Sequence, residues 1–286
     1  MRIFRSIVAA FAMVQSALVY AGEPISLSRA EKWRANFEAD SCNLIGTFGQ
    51  GDQRVYIQLI RYRPSDSFAL HLIGSIFRSD ETRSPIRLAF GPGAELQRVE
   101  VMNGRLANLP MAIVTYWRLD NQLAVSGDHP SPPVTPEQEA AVRTLDLRIR
   151  GRDYRLELGP MQATMRIMRE CMNDLLKTWG FDPQEQAQLT RQATPLTSPA
   201  TWLLSGDYPP GALSRGESGI VDFRLDVDEA GNPTACHILA ATRPKGFEHL
   251  SCQLLMRRAR FQHAINREGK PVRSFYISKI RWRFFG

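Results

Sequence analysis

From Gly219 onward the chain alternates residue by residue. Val221, Phe223, Leu225 and Val227 are apolar, and Asp222, Arg224, Asp226 and Asp228 between them are polar. A period of two marks a half-buried antiparallel strand. Glu229 to Asn232 supplies a hairpin turn, and residues 234–240 return as a second strand. Pro244 and Gly246 break the chain, after which Phe247, Leu250 and Leu254 share one face of a helix predicted to end near Arg258. The final predicted strand covers residues 273–285. Its Tyr276, Ile280, Trp282 and Phe284 share one face, and Lys279, Arg281 and Arg283 share the other. The order is ββαβ.

Upstream the signals are shorter. Residues 28–37 are predicted as a helix capped by Ser28, with Ala30, Trp33 and Phe37 on one face. Strands are expected at 55–61, 68–77, 86–90, 96–102, 111–118, 145–150 and 154–158, the last two joined at Gly151-Arg152-Asp153 as a hairpin. Residues 128–136 hold four prolines and read as a loop. Pro160 suits the first turn of a helix whose Met161, Met165, Met168, Met172 and Leu175 form one stripe, expected to pack into a core. Residues 181–204 are polar, interrupted by prolines, and read as a linker. The fold class is therefore expected to be α+β: a β-rich N-terminal domain at 22–180 with a closing helix, and a small ββαβ domain at 205–286.

The first 21 residues stand apart. Arg2 and Arg5 precede an apolar run from Ile7 to Ala21, and Val19-Tyr20-Ala21 offers small or aliphatic residues where a signal peptidase reads. Gln15 and Ser16 interrupt the run, which falls short of the roughly 20 residues a membrane helix needs. A cleaved signal peptide and a periplasmic mature chain starting at Gly22 are expected. In that oxidising space Cys42, Cys171, Cys236 and Cys252 should pair. Four cysteines allow three connectivities. The linker separates the second cysteine from the third, so the economical pairing keeps one bridge in each domain: Cys42 with Cys171, and Cys236 with Cys252.

Hydrophobic residues at 43% and charged residues at 23% exclude a wholly disordered chain and a multispan membrane protein. Residues 205–286 carry 13 basic and 8 acidic side chains, and the stretch from Arg257 to Arg283 holds nine basic residues against Glu268 alone. Such a surface concentrates acidic partners. The leader argues against nucleic acid. Cys236, His237, His249 and Cys252 fail as a zinc site, because neighbours on a strand point to opposite faces. Asp128-His129-Pro130-Ser131 lies in a proline-rich loop, and Gly49-Gln50-Gly51 lacks the third glycine of a dinucleotide motif. No motif calls for a catalyst, a metal or a cofactor.

The ββαβ order comes with specific residues: Tyr208-Pro209, Gly219-Ile220-Val221, Asp226-Val227-Asp228 with Gly231, Arg260-Phe261 with Ala264, Gly269-Lys270-Pro271-Val272, and the aromatic last strand. Together they resemble the C-terminal domain of TonB-family proteins, and Cys236 with Cys252 matches a disulfide variant of it. His263 stands where that family usually has proline, and Ala241-Thr242-Arg243 replaces its usual turn. An uncleaved membrane helix and a long Pro-rich spacer are absent from the pattern. The N-terminal domain has no sharp motif; its likeness to the invasion-associated locus B family is one of layout only.

The resemblance implies a protein-interaction module that captures extended segments of outer-membrane transport receptors, or of another envelope protein, by strand addition. The candidate edge is the last strand: Tyr276, Ile277, Ser278, Lys279, Ile280, Arg281, Trp282 and Arg283. The same resemblance makes the first and last strands neighbours, setting Asp222, Asp226 and Asp228 against Lys279, Arg281 and Arg283. That leaves Arg257, Arg258 and Arg260 as a basic patch. The alternative reading is an envelope protein whose basic face holds peptidoglycan or lipid headgroups without a transport role.

Overall fold

The computed structural model describes residues 23–78, 85–122, 132–242 and 246–284. The expected signal peptide and the Asp128-His129-Pro130-Ser131 run lie outside the described residues. Among the described residues no helix is long and apolar enough to cross a membrane.

The N-terminal half opens with β1 (Ile25–Ser28), β2 (Arg34–Phe37), β3 (Cys42–Phe48), β4 (Val55–Arg61) and β5 (Phe68–Ile73). It continues through β6 (Arg87–Phe90), β7 (Gln97–Arg98), β8 (Met102–Leu106), β9 (Leu109–Trp117), α1 (Pro136–Ala141), β10 (Thr144–Ile149), β11 (Arg152–Glu157) and α2 (Gln162–Thr178). Two sheets result, in the orders β1-β11-β10-β6-β7 and β2-β3-β4-β5-β9-β8. One core draws on both and on the Met161, Met165, Met168, Met172 and Leu175 stripe. Cys171 on α2 is bonded to Cys42 at the start of β3, with Cα atoms 6.1 Å apart. The helix that closes this half is therefore stapled to its six-stranded sheet.

The helix expected at 28–37 is instead the end of β1, a turn and β2. Trp33 packs edge-on against Phe48, but Phe37 is 56% exposed and all of β2 faces solvent. A short helix with no face to bury is marginal, whereas pairing with β3 satisfies the backbone of this edge. Pro136, expected at the end of a loop, instead starts α1, which Thr135 caps through a reciprocal box with Gln138.

Residues 181–204 are not an isolated tether. They hold α3 (Pro183–Ala187) and β12 (Thr194–Pro195) and lie along the C-terminal half. Gln186 accepts from Ser274 Oγ at 2.8 Å and donates to the Arg273 carbonyl at 2.9 Å. β12 pairs with residues 261–262, and Trp202 is buried against Phe261 and Tyr276.

After α4 (Pro210–Ser214) come β13 (Gly219–Val227), β14 (Pro233–Ala241) and α5 (Phe247–Arg258). Three two-residue strands follow, β15 (Phe261–Gln262), β16 (Ala264–Ile265) and β17 (Pro271–Val272), before β18 (Ser274–Trp282). The three long strands form one antiparallel sheet, β14-β13-β18, with α5 against β14 and β13. Cys236 on β14 is bonded to Cys252 on α5, Cα atoms 5.6 Å apart. Both pairings favoured by the domain argument are present.

Candidate partner edge and interdomain cleft

Alternation sorts β18 as its residues demand. Tyr276, Ser278, Ile280 and Trp282 share the face turned toward α5, where Trp282 stacks on Phe247 and donates from Nε1 to Ser251 Oγ at 3.1 Å. Tyr276 fits among Trp202, Phe223 and Phe261. Ile277, Lys279 and Arg281 share the other face, and Arg283 follows the end of the strand. These contacts fix the orientation of β18 from one face while its edge is left for pairing.

The sheet has two edges, and they differ. Among the described residues no strand lies beyond β14 or β18. β18 pairs with β13 in unbroken register from Gly219↔Trp282 to Val227↔Ser274. On the β14 side the register shifts twice, between Asp222 and Phe223 and between Asp226 and Val227, leaving Leu239 and Thr234 as extra residues on β14. Bulges bend a strand and spoil its edge as a template. β14 also begins at Pro233 and is tied to α5 by its disulfide. The regular edge is that of β18.

The register corrects the expected charge ladder. In antiparallel pairing an ascending series on one strand meets a descending series on the other. Asp222 therefore faces Lys279, with Oδ1 and Nζ 3.7 Å apart, but Asp226 faces Phe275, and Arg281 faces Ile220. Asp226 is instead held by Arg224 at 2.8 Å and His237 at 3.1 Å. Asp228 lies past β13 and accepts from the backbone N–H groups of Ala230 and Asn232 in the hairpin turn. The proposed basic patch is also divided. Arg258 grips Asp207 with two nitrogens, holding that carboxyl down to about 2, and Arg260 donates to the carbonyls of Arg257 and Ala259. Of the three, Arg257 and Arg260 are exposed.

The outer face of the sheet, expected to meet water, is covered by the N-terminal half. Arg224 is 2% exposed: its guanidinium lies 3.9 Å from the centre of the Trp179 ring and 3.8 Å from Asp40. Phe275 packs on Trp179 and Phe181. Lys279 lies 4.5 Å from the Tyr116 ring centre. Between these contacts the two sheets flank an open cleft of about 300 Å³, with Ile60 and Ile113 on one wall and Ile220, Leu239 and Ile277 on the other.

Tyr62, His71 and Asp222 also line the cleft. Burial pushes the Tyr62 hydroxyl up to about 12, aided by the Asp222 and Glu38 carboxylates. Burial alone holds His71 below its ordinary value. It raises Asp222 above its ordinary value, against the opposing pull of Lys279 and Arg281. Sequence reasoning missed Tyr62, Tyr116, Arg224 and Trp179: Arg224 reads as the solvated side of an alternating strand, and the other three contact it or the cleft only once the two halves are packed together.

Residues 206–284 match the family model described as Gram-negative bacterial TonB protein C-terminal. No curated protein matches the chain.

Proposed function

Because residues 206–284 form a TonB-family C-terminal domain, we propose that the protein is an envelope interaction module whose β18 edge captures an extended segment of an outer-membrane receptor or another envelope protein. The observation that carries this reading is the contrast between the two sheet edges. β18 runs nine residues in unbroken register, whereas β14 is bulged twice and crosslinked. Strand addition needs a straight row of free main-chain groups, and side-chain pockets add only selectivity. One face of β18 is covered by α5 and the other meets the N-terminal half at Phe275 and Lys279, so an incoming peptide would meet the strand at its edge. In this reading the exposed Arg281 and Arg283 flank the added strand, and the domain acts by binding rather than by catalysis. The compartment is the periplasm, reached through the expected signal peptide.

The reading is tested by amide hydrogen exchange on the mature chain with and without peptides taken from extended receptor segments. Protection should appear along residues 274–282 and spare 233–241. It should persist as salt is raised, because neutral main-chain pairing is weakly screened. Protection confined to β14, or absent with every peptide, would sink the strand-addition reading. The envelope-ligand alternative predicts instead binding of peptidoglycan fragments that falls steeply with ionic strength. It is weakened by Arg258, whose charge is already spent on Asp207.

A further inference from the structure

The cleft between the two halves has the construction of a ligand site, distinct from the main-chain edge of β18 although Arg281 and Arg283 border both. Its two walls are sheets, and each wall is broken by a bulge at the residues that line it. On β14 the extra residue is Leu239. On β9 the register shifts between the partners of Phe68 and Leu70, so that Thr115 and Tyr116 together stand opposite the single Ala69. Tyr116 adopts φ +61, a left-handed conformation that non-glycine residues seldom hold without compensation. Bulges re-aim side chains, and here they do so from both sides toward one space.

The inner chamber is mostly apolar, and of its charged lining residues Asp222 is paired while Arg63 has no ion-pair partner within 4.0 Å among the described residues. Asp222 is answered by Lys279 on the neighbouring strand, and burial keeps both the Tyr62 hydroxyl and the His71 ring in their neutral forms at pH 7. Inside the chamber a ligand's negative charge would meet Arg63 alone. The outer part of the cleft differs. A second space of about 420 Å³ shares Met102, Ile113, Thr115 and Ile220 with the chamber and is bordered by Arg281 and Arg283 against Glu100. Both arginines are exposed, and neither has an ion-pair partner within 4.0 Å among the described residues. An apolar chamber leading to a cationic mouth has the polarity of one molecular class.

We propose that the interdomain cleft binds a single-chain amphiphile, with its aliphatic tail between Ile113 and Leu239 and its anionic head at Arg281 and Arg283. Chamber burial supplies the affinity, and the arginine pair selects a carboxylate or phosphate head over a neutral one.

The test uses the mature chain, with decanoate, decan-1-ol and acetate as probes below any micelle threshold, followed by calorimetry. Decanoate should bind one per chain, at least tenfold more tightly than decanol, and acetate should not bind measurably. Replacing both exposed arginines, Arg281→Gln with Arg283→Gln, should erase the preference for decanoate and leave decanol unchanged. Ala69→Phe, which fills the chamber from β5, should abolish both; the milder Ala240→Leu, from the other wall, should weaken both if Ala69→Phe lowers the melting temperature. Acetate binding as tightly as decanoate would reduce the site to a surface anion patch and overturn the proposal. So would decanoate binding that neither chamber variant affects, or no saturable decanoate binding at all.

Discussion

Single residues show why the motif letters of the C-terminal half are what they are. Gly231 closes the β13–β14 hairpin at φ +85, and a Cβ built there would lie 2.0 Å from the Phe261 carbonyl oxygen. That carbonyl cannot move away cheaply, because the Phe261 N–H donates to the Gly231 carbonyl at 2.9 Å and residues 261–262 pair with β12. Gly269, at φ +75, has open space around the same position. The two glycines therefore separate strain from collision. Gly269→Ala should cost about 1 kcal/mol, the backbone contribution alone. Gly231→Ala should cost about 3 kcal/mol or more, since the hairpin must also part from the strand after α5. Urea denaturation of both variants measures the difference; equal midpoints would mean that the contact at Phe261 carries no weight.

At the scale of elements, what was legible in the sequence followed from one-sided burial. β4 and the methionine stripe of α2 each bury one side more than the other and are found where their period placed them, as is the α5-facing side of β18. β3 was missed because Cys42 to Phe48 is buried on both faces, so its sequence does not alternate. β2 was misread for the opposite reason: it buries neither face and is held by pairing alone. The candidate edge could be named from the sequence. Its advantage over β14 could not, because bulges at Leu239 and Thr234 are set by pairing register rather than by composition. The disulfides tie elements of different kinds at very different spans, 129 residues for Cys42–Cys171 and 16 for Cys236–Cys252. In a chain-entropy account the longer loop stabilises more, by about 2 kcal/mol. Replacing Cys42 and Cys171 by Ala should therefore lower stability more than replacing Cys236 and Cys252, as read from denaturation midpoints. The reverse order would place the main effect of the bridges in native geometry rather than in the unfolded chain.

At the scale of the whole molecule, the coupling between the halves rests on a contact of mixed polar and aromatic character. Interfaces between domains of one chain hinge readily unless they are large and apolar. Here the centre is Arg224, buried between the Trp179 ring and the Asp40 and Asp226 carboxylates, with Phe275 packed on Trp179 beside it. Arg224 belongs to β13 and Trp179 follows α2, so one side chain joins the TonB-type sheet to the helix that closes the N-terminal core. Arg224→Ala removes the cation above Trp179 and one of the two partners of Asp226, leaving His237 as the other. Breaking a buried pair in this way should cost about 3 kcal/mol. Because the lost contacts lie between the halves, cooperativity should change as well as stability. Calorimetry of the parent should show one transition, and the variant should show two, the first belonging to whichever half relied more on the contact. Arg224→Met, which keeps much of the apolar contact with Trp179 without the charge, should restore part of the coupling if packing matters and none of it if the cation does. A variant that melts lower in a single transition would place the role of Arg224 inside the TonB-type sheet. The cleft would then be held by Phe275, Lys279 and their aromatic partners alone.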